Sequence, residues 1–125
     1  MQHLSWTLGT GTESRGGHGK TTDWAEVAAH LEAVVARGGT VTLETTGDAP
    51  WRSLQLQSEA GCCLLTLTYD EGEVRMLDSG DPTSEEVEIL GDLWSASAVT
   101  RDAETVTRVF QTFFSTGDVP LEWMA

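Results

Sequence analysis

The chain has 125 residues, 39% of them hydrophobic, and 20 acidic against 7 basic residues give it a formal net charge of -13. That length suits one domain with one core and excludes two full ones, while the charge opposes sequence-independent binding to phosphate backbones or anionic lipid. The starting expectation is a single α+β domain over residues 1–125 that binds neither nucleic acid nor membrane.

The N-terminus MQHLSWTLGTG lacks a basic segment followed by a long apolar one, and no apolar run approaches the roughly 20 residues needed to span a bilayer, so a cytoplasmic location is expected. Leu4, Trp6 and Leu8 share one face at period two, which predicts a strand over His3–Leu8. The glycine-rich stretch at 9–21 reads as a flexible loop. Thr22 or Asp23 can then cap a helix, and Trp24, Val27, Ala28, Leu31, Val34 and Val35 form its apolar stripe up to the stop at Gly38-Gly39. Alternation predicts strands at Thr40–Thr45 and Ser53–Gln57. The more continuous apolar run Cys62–Tyr69 suits a central strand, joined through Asp70-Glu71-Gly72 to a partner at Glu73–Leu77.

Further along, Glu85–Leu90 turns Val87 and Ile89 to one face and Glu86 and Glu88 to the other, and a short extended piece is expected at Trp94–Val99. A second helix should run from Arg101 to Ser115 with Thr100 as cap, a stripe of Ala103, Val106, Val109, Phe110, Phe113 and Phe114, and a stop at Gly117. The predicted order is β-α-β-β-β-β-β-α, an antiparallel sheet of about five to six strands with two helices packed on one face.

The negative charge is local. Asp70, Glu71, Glu73, Asp78, Asp81, Glu85, Glu86, Glu88 and Asp92 face one basic residue, Arg75, within residues 70–92. A concentrated field steers a basic partner better than a diffuse one. Of the five Trp, Trp6 and Trp24 fall on core stripes, whereas Trp51 and Trp94 sit at element ends and join the carboxylates as candidate partner-binding residues.

Catalytic and cofactor constellations are weak. Gly19-Lys20-Thr21 precedes a helix, but a phosphate loop ending there needs glycine at position 14, where Ser14 stands. His3, His18 and His30 lie on different elements, so no metal-ligand spacing arises and no cofactor is expected. Cys62 and Cys63 are adjacent and read as reduced, packed thiols on opposite faces of a strand. The carboxylates lie on turns and outward strand positions, where ordinary pKa values and a partner-facing role fit better than acid–base catalysis.

From Gly38 onward the segments GGTVTLE, WRSLQLQSEAGCCLLTLTYDEGEVRML, VEILGDLWSASAVTRD and VFQTFFSTGDVP resemble small immunity proteins of bacterial polymorphic and contact-dependent toxin systems, Imm1-like α+β members in particular. The Gly-Asp-x-Trp turn at Gly91–Trp94 and the Phe-Phe-x-x-Gly helix end at Phe113–Gly117 carry the likeness. The resemblance implies a protein without catalysis of its own, bound 1:1 to a cognate toxin domain whose nucleic-acid-directed active site is a basic cleft. The alternatives are a small nucleotide-binding protein or hydrolase using the glycine-rich loop, and a generic acidic protein-binding module.

Overall fold

The structure is a computed structural model and describes residues 2–9, 14–47, 50–80 and 85–125. Among the described residues, nine strands and two α-helices follow one another as β1 (Gln2–Leu8), β2 (Arg15–Thr21), α1 (Trp24–Arg37), β3 (Gly39–Thr45), β4 (Arg52–Glu59), β5 (Cys62–Tyr69), β6 (Val74–Met76), β7 (Glu86–Ile89), β8 (Asp92–Ser95), β9 (Val99–Thr100) and α2 (Ala103–Thr116). The main sheet is antiparallel in the order β2-β1-β3-β4-β5-β6, with the short β9 sharing the β6 edge of β5. Both helices pack on one face of it, and β7 and β8 form a separate hairpin. The fold is the expected α+β architecture with strands added at both margins.

Strand alternation builds the main core. Leu4 of β1, Val41 and Leu43 of β3, Leu54 and Leu56 of β4, and Cys63, Leu65 and Leu67 of β5 point at the helices. Against them lie Val27, Leu31 and Val34 of α1 and Val106, Val109, Phe110 and Phe113 of α2, the stripes that helical spacing predicts. The Gln2 amide ties β1 to the end of α2 by donating to the Phe113 and Phe114 carbonyls at 2.9 and 3.2 Å.

Both helix starts use aspartate. The Asp23 carboxylate accepts from the Ala25 amide at 3.0 Å, one of the two caps expected there. For α2 the expected cap was Thr100, but that residue is drawn into β9, and Asp102 accepts instead from the Glu104 amide at 3.0 Å and the Thr105 hydroxyl at 2.9 Å. These hydrogen bonds, the Thr105 one foremost, hold the Asp102 carboxyl below the usual carboxylate range. A lowered native pKa gives stability that is present above the unfolded value and is lost as pH falls through the native one. Asp102→Ala should therefore lower the urea midpoint at neutral pH, and the difference from the parent should close in acid, below roughly pH 4.

The glycine-rich stretch is not the flexible loop expected at 9–21. Residues 10–13 lie outside the described ones, but Arg15–Thr21 is a full edge strand paired along β1. Two of its glycines, Gly16 and Gly17, have a packing reason, because Trp6 stands opposite Gly17 and stacks on His30 with ring centroids 4.5 Å apart. A Cβ on Gly17 would meet the Trp6 ring at 3.1 Å, and one on Gly16 would sit 2.4 Å from the Trp6 carbonyl oxygen.

The piece expected at Trp94–Val99 also resolves differently. Asp92–Ser95 is β8, paired with β7 through the tight turn Leu90-Gly91, both of whose residues have positive φ. Ala96–Ala98 is a 3₁₀ turn, and Val99–Thr100 rejoins the main sheet beside β5.

Candidate functional site: the β7–β8 hairpin

The face of the sheet away from the helices is polar along most of β1, β3 and β4, with Ser5, Thr7, Thr40, Thr42, Gln55 and Gln57 on it. At the Cys62 end of β5 this changes. Cys62 and Leu64 point away from the helices and form a second small core with Ile89, Ala98 and Val99, flanked by Met76, Val87, Leu90 and Trp94. The continuous apolar run of β5 is thereby explained: helices cover one side of the strand, and the hairpin covers part of the other.

Alternation then dictates what the hairpin shows to solvent. Val87, Ile89 and Trp94 turn inward, and the cross-strand pairs Glu86–Ser95 and Glu88–Leu93 turn outward. Leu93 is 65% exposed, the largest exposure among the big hydrophobic side chains described. It stands directly across from Glu88 and next to Asp92. The Glu59 carboxylate accepts from the Leu90 amide at 3.2 Å and fastens the tip of the hairpin to the end of β4. At the other end the Ala96 amide donates to the Glu85 carbonyl at 2.9 Å, and the Ser79 amide donates to the Ser97 carbonyl at 2.8 Å. A cleft of about 370 Å³ opens at that base between Glu85, Val87, Ser79 and Arg101.

The structure divides the sequence-defined acidic segment in two. Asp78, Glu85, Glu86, Glu88 and Asp92 are exposed on or beside the hairpin. Asp70, Glu71 and Glu73 occupy the β5–β6 turn at the Tyr69 end of β5, on the order of 20 Å away along the strand. Glu73 is partly neutralised there by Arg75 at 2.8 Å. Asp81 lies outside the described residues. Trp51 belongs with the distant turn: it precedes Arg52, which pairs with Tyr69, and its indole N–H donates to Glu44 at 3.1 Å, leaving it 38% exposed. Trp94 props the hairpin from beneath, and its indole nitrogen is buried without a hydrogen-bond partner among the described residues.

The Gly19-Lys20-Thr21 triplet lies in β2, paired along β1, with the Thr21 side chain buried and accepting from the Asp23 amide at 3.1 Å. Burial pushes the Cys63 thiol up, against a partial offset from its hydrogen bond to Ser58, so the thiol stays protonated at neutral pH. Cys62 and Cys63 are both free and buried.

A family profile described as "Family of unknown function (DUF6911)" matches residues 5–123. The chain belongs to this family. No functionally curated protein matches it. The fold is similar to that in the crystal structure of a hypothetical protein from Neisseria gonorrhoeae, with a TM-score of 0.69 over 94% of this chain and 90% of that one at 12% identity. At that identity the likeness is one of fold, and it extends the architecture of this DUF6911 chain to a distant sequence. Among its described residues, no helix is long and apolar enough to cross a membrane.

Proposed function

We propose that the chain is a cytoplasmic immunity protein that binds a cognate bacterial toxin domain 1:1 and occludes its basic active-site cleft with the outer face of the β7–β8 hairpin. The observation that carries this reading is Leu93, 65% exposed on the docked hairpin and directly across from Glu88, with Glu86 on the same face. A central apolar anchor inside a charged rim is the anatomy of a protein-binding hot spot. The rim carboxylates add long-range attraction to a basic cleft and compete with its anionic substrate on the same electrostatic terms. The acidic turn at Asp70–Glu73, with Trp51 beside it, supplies a second and more distant negative field that steers rather than anchors.

The test uses the full chain and the protein encoded by the adjacent gene. Co-expression should relieve that protein's toxicity, and the purified pair should form a 1:1 complex weakened by salt. Leu93→Ala should weaken the complex about tenfold or more, mainly through faster dissociation. Glu86→Lys with Glu88→Lys should slow association by about tenfold at low salt and flatten its salt dependence. A complex of unchanged affinity in the triple variant would move the binding surface elsewhere, and absence of both complex and protection would end the immunity reading.

A further inference from the structure

The two margins of the main sheet are treated differently. At the β6 margin the chain's own C-terminus seals the edge: the Met76 amide donates to the Ala125 carbonyl at 3.2 Å, the Ala125 amide donates to Met76 at 2.7 Å, and Leu77 bridges to Met124. At the opposite margin, β2 is paired only with β1 among the described residues. The Gly9 amide donates to the Gly38 carbonyl at 2.9 Å, which sets the phase of β1: its odd-numbered backbone groups turn to β3 and its even-numbered ones to β2. Arg15, Gly17, Gly19 and Thr21 therefore bond inward to Leu8, Trp6, Leu4 and Gln2, and the amides and carbonyls of Gly16, His18 and Lys20 point outward from the sheet.

Two further features mark this edge. Gly16 and Gly17 are required by Trp6, but a Cβ on Gly19 would meet nothing within 4 Å, and the residue has no positive φ that would call for glycine. A glycine inside a strand weakens it, and where the chain's own packing gives no reason it marks a place for close approach by another backbone. The charge is also inverted. Within a chain of net charge -13, β2 carries Arg15 and Lys20 with His18 and no acidic residue. Neither cation forms an ion pair among the described residues, and all three side chains are exposed.

We propose that β2 is a docking edge that accepts an extended acidic segment of a partner protein as an added strand. Backbone hydrogen bonds to Gly16, His18 and Lys20 supply affinity, and carboxylates at alternate positions of the incoming strand meet His18 and Lys20 on the polar face of the sheet. A second copy of this chain fits less well, because β2 against β2 would bring four cations together. This edge lies across the sheet from the hairpin and selects the opposite charge, so it is independent of the toxin-binding reading.

The experiment uses the full chain and three fluorescent synthetic peptides as long as β2: one alternating Glu with Val, one alternating Lys with Val, and the Glu peptide with N-methylated amides on one edge. The Glu peptide should bind saturably by anisotropy and slow hydrogen exchange at Gly16, His18 and Lys20 but not across the β7–β8 hairpin. Its affinity should fall about tenfold in Lys20→Glu. His18→Pro removes an outward amide together with the imidazole and leaves the inward bonds to β1 in place, so it should abolish binding while the far-ultraviolet spectrum and thermal midpoint of the parent are kept. If His18→Pro disturbs the fold, the N-methylated peptide carries the same test from the ligand side, and it should not bind. Equal binding of the Lys peptide, retained binding of the N-methylated one, or no binding of the Glu peptide overturns the proposal. Concentration-dependent dimerisation that protects the same amides without peptide also overturns it, in favour of a second copy.

Discussion

Gly39→Ala is expected to destabilise the fold by about 3 kcal/mol or more, whereas Gly19→Ala should be neutral or slightly stabilising. Both residues lie in strands, and the difference comes from geometry. Gly39 has φ of 127°, a conformation side chains rarely adopt, and a Cβ there would sit 2.1 Å from the Thr7 carbonyl oxygen. That oxygen belongs to β1, which is held between β2 and β3, so neither strand can withdraw without breaking a ladder. The contact arises because α1 ends at Gly38 and the chain enters β3 at the next residue, with no linker to absorb the reversal. With roughly 3–5 °C of thermal midpoint per kcal/mol at this chain length, Gly39→Ala should melt about 10 °C or more below the parent. A Gly39→Ala protein that melted with the parent would mean that the helix-to-strand junction is looser than its geometry implies.

That junction also shows why parts of the fold were readable in the sequence. The stop at Gly38-Gly39, the stripe from Trp24 to Val35 and the aromatic stripe of α2 are local patterns, in which spacing alone fixes which face is buried. The limits of β5, Cys62–Tyr69, also follow from its apolar run. β2 has no such pattern. Its sequence RGGHGKT offers no apolar alternation, and its place in the sheet depends on Trp6 needing bare backbone opposite it, a requirement written in β1. Thr100 failed as a helix cap for a related reason, since pairing with Cys63 of β5 competes for that residue and leaves Asp102 to take the role.

The candidate site was legible in its charge and not in its shape. The carboxylates from Asp70 to Asp92 stand out by count, yet an antiparallel return through β6 places Asp70–Glu73 and the hairpin carboxylates at opposite ends of β5. Nothing in residue type singles out Leu93 beside the larger Trp94. Strand parity allows only one of two adjacent residues to face outward, and the larger ring is the one that fills the second core.

Ile89→Ala should separate the hairpin from the rest of the molecule and, under the immunity reading, weaken toxin binding without touching the proposed binding face. Ile89 is fully buried against Cys62, Leu64 and Val99, and truncating a buried isoleucine costs about 2–5 kcal/mol. The second core is small, so a loss of that size rivals what holds the hairpin down. The main core contains none of these residues and should persist. Local rather than global opening is the expected result: amides of β7 and β8 should exchange faster, while those of β3, β4 and the central turns of both helices keep their protection. Under the immunity reading, Glu86, Glu88 and Leu93 are then presented by a mobile segment, and ordering it on binding costs affinity even though each contact remains available. The variant should therefore bind the toxin domain at least as poorly as Leu93→Ala. A Val at the same position, which keeps most of the contact, should restore both exchange protection and affinity. Faster exchange with undiminished binding would show that the partner docks elsewhere on the protein.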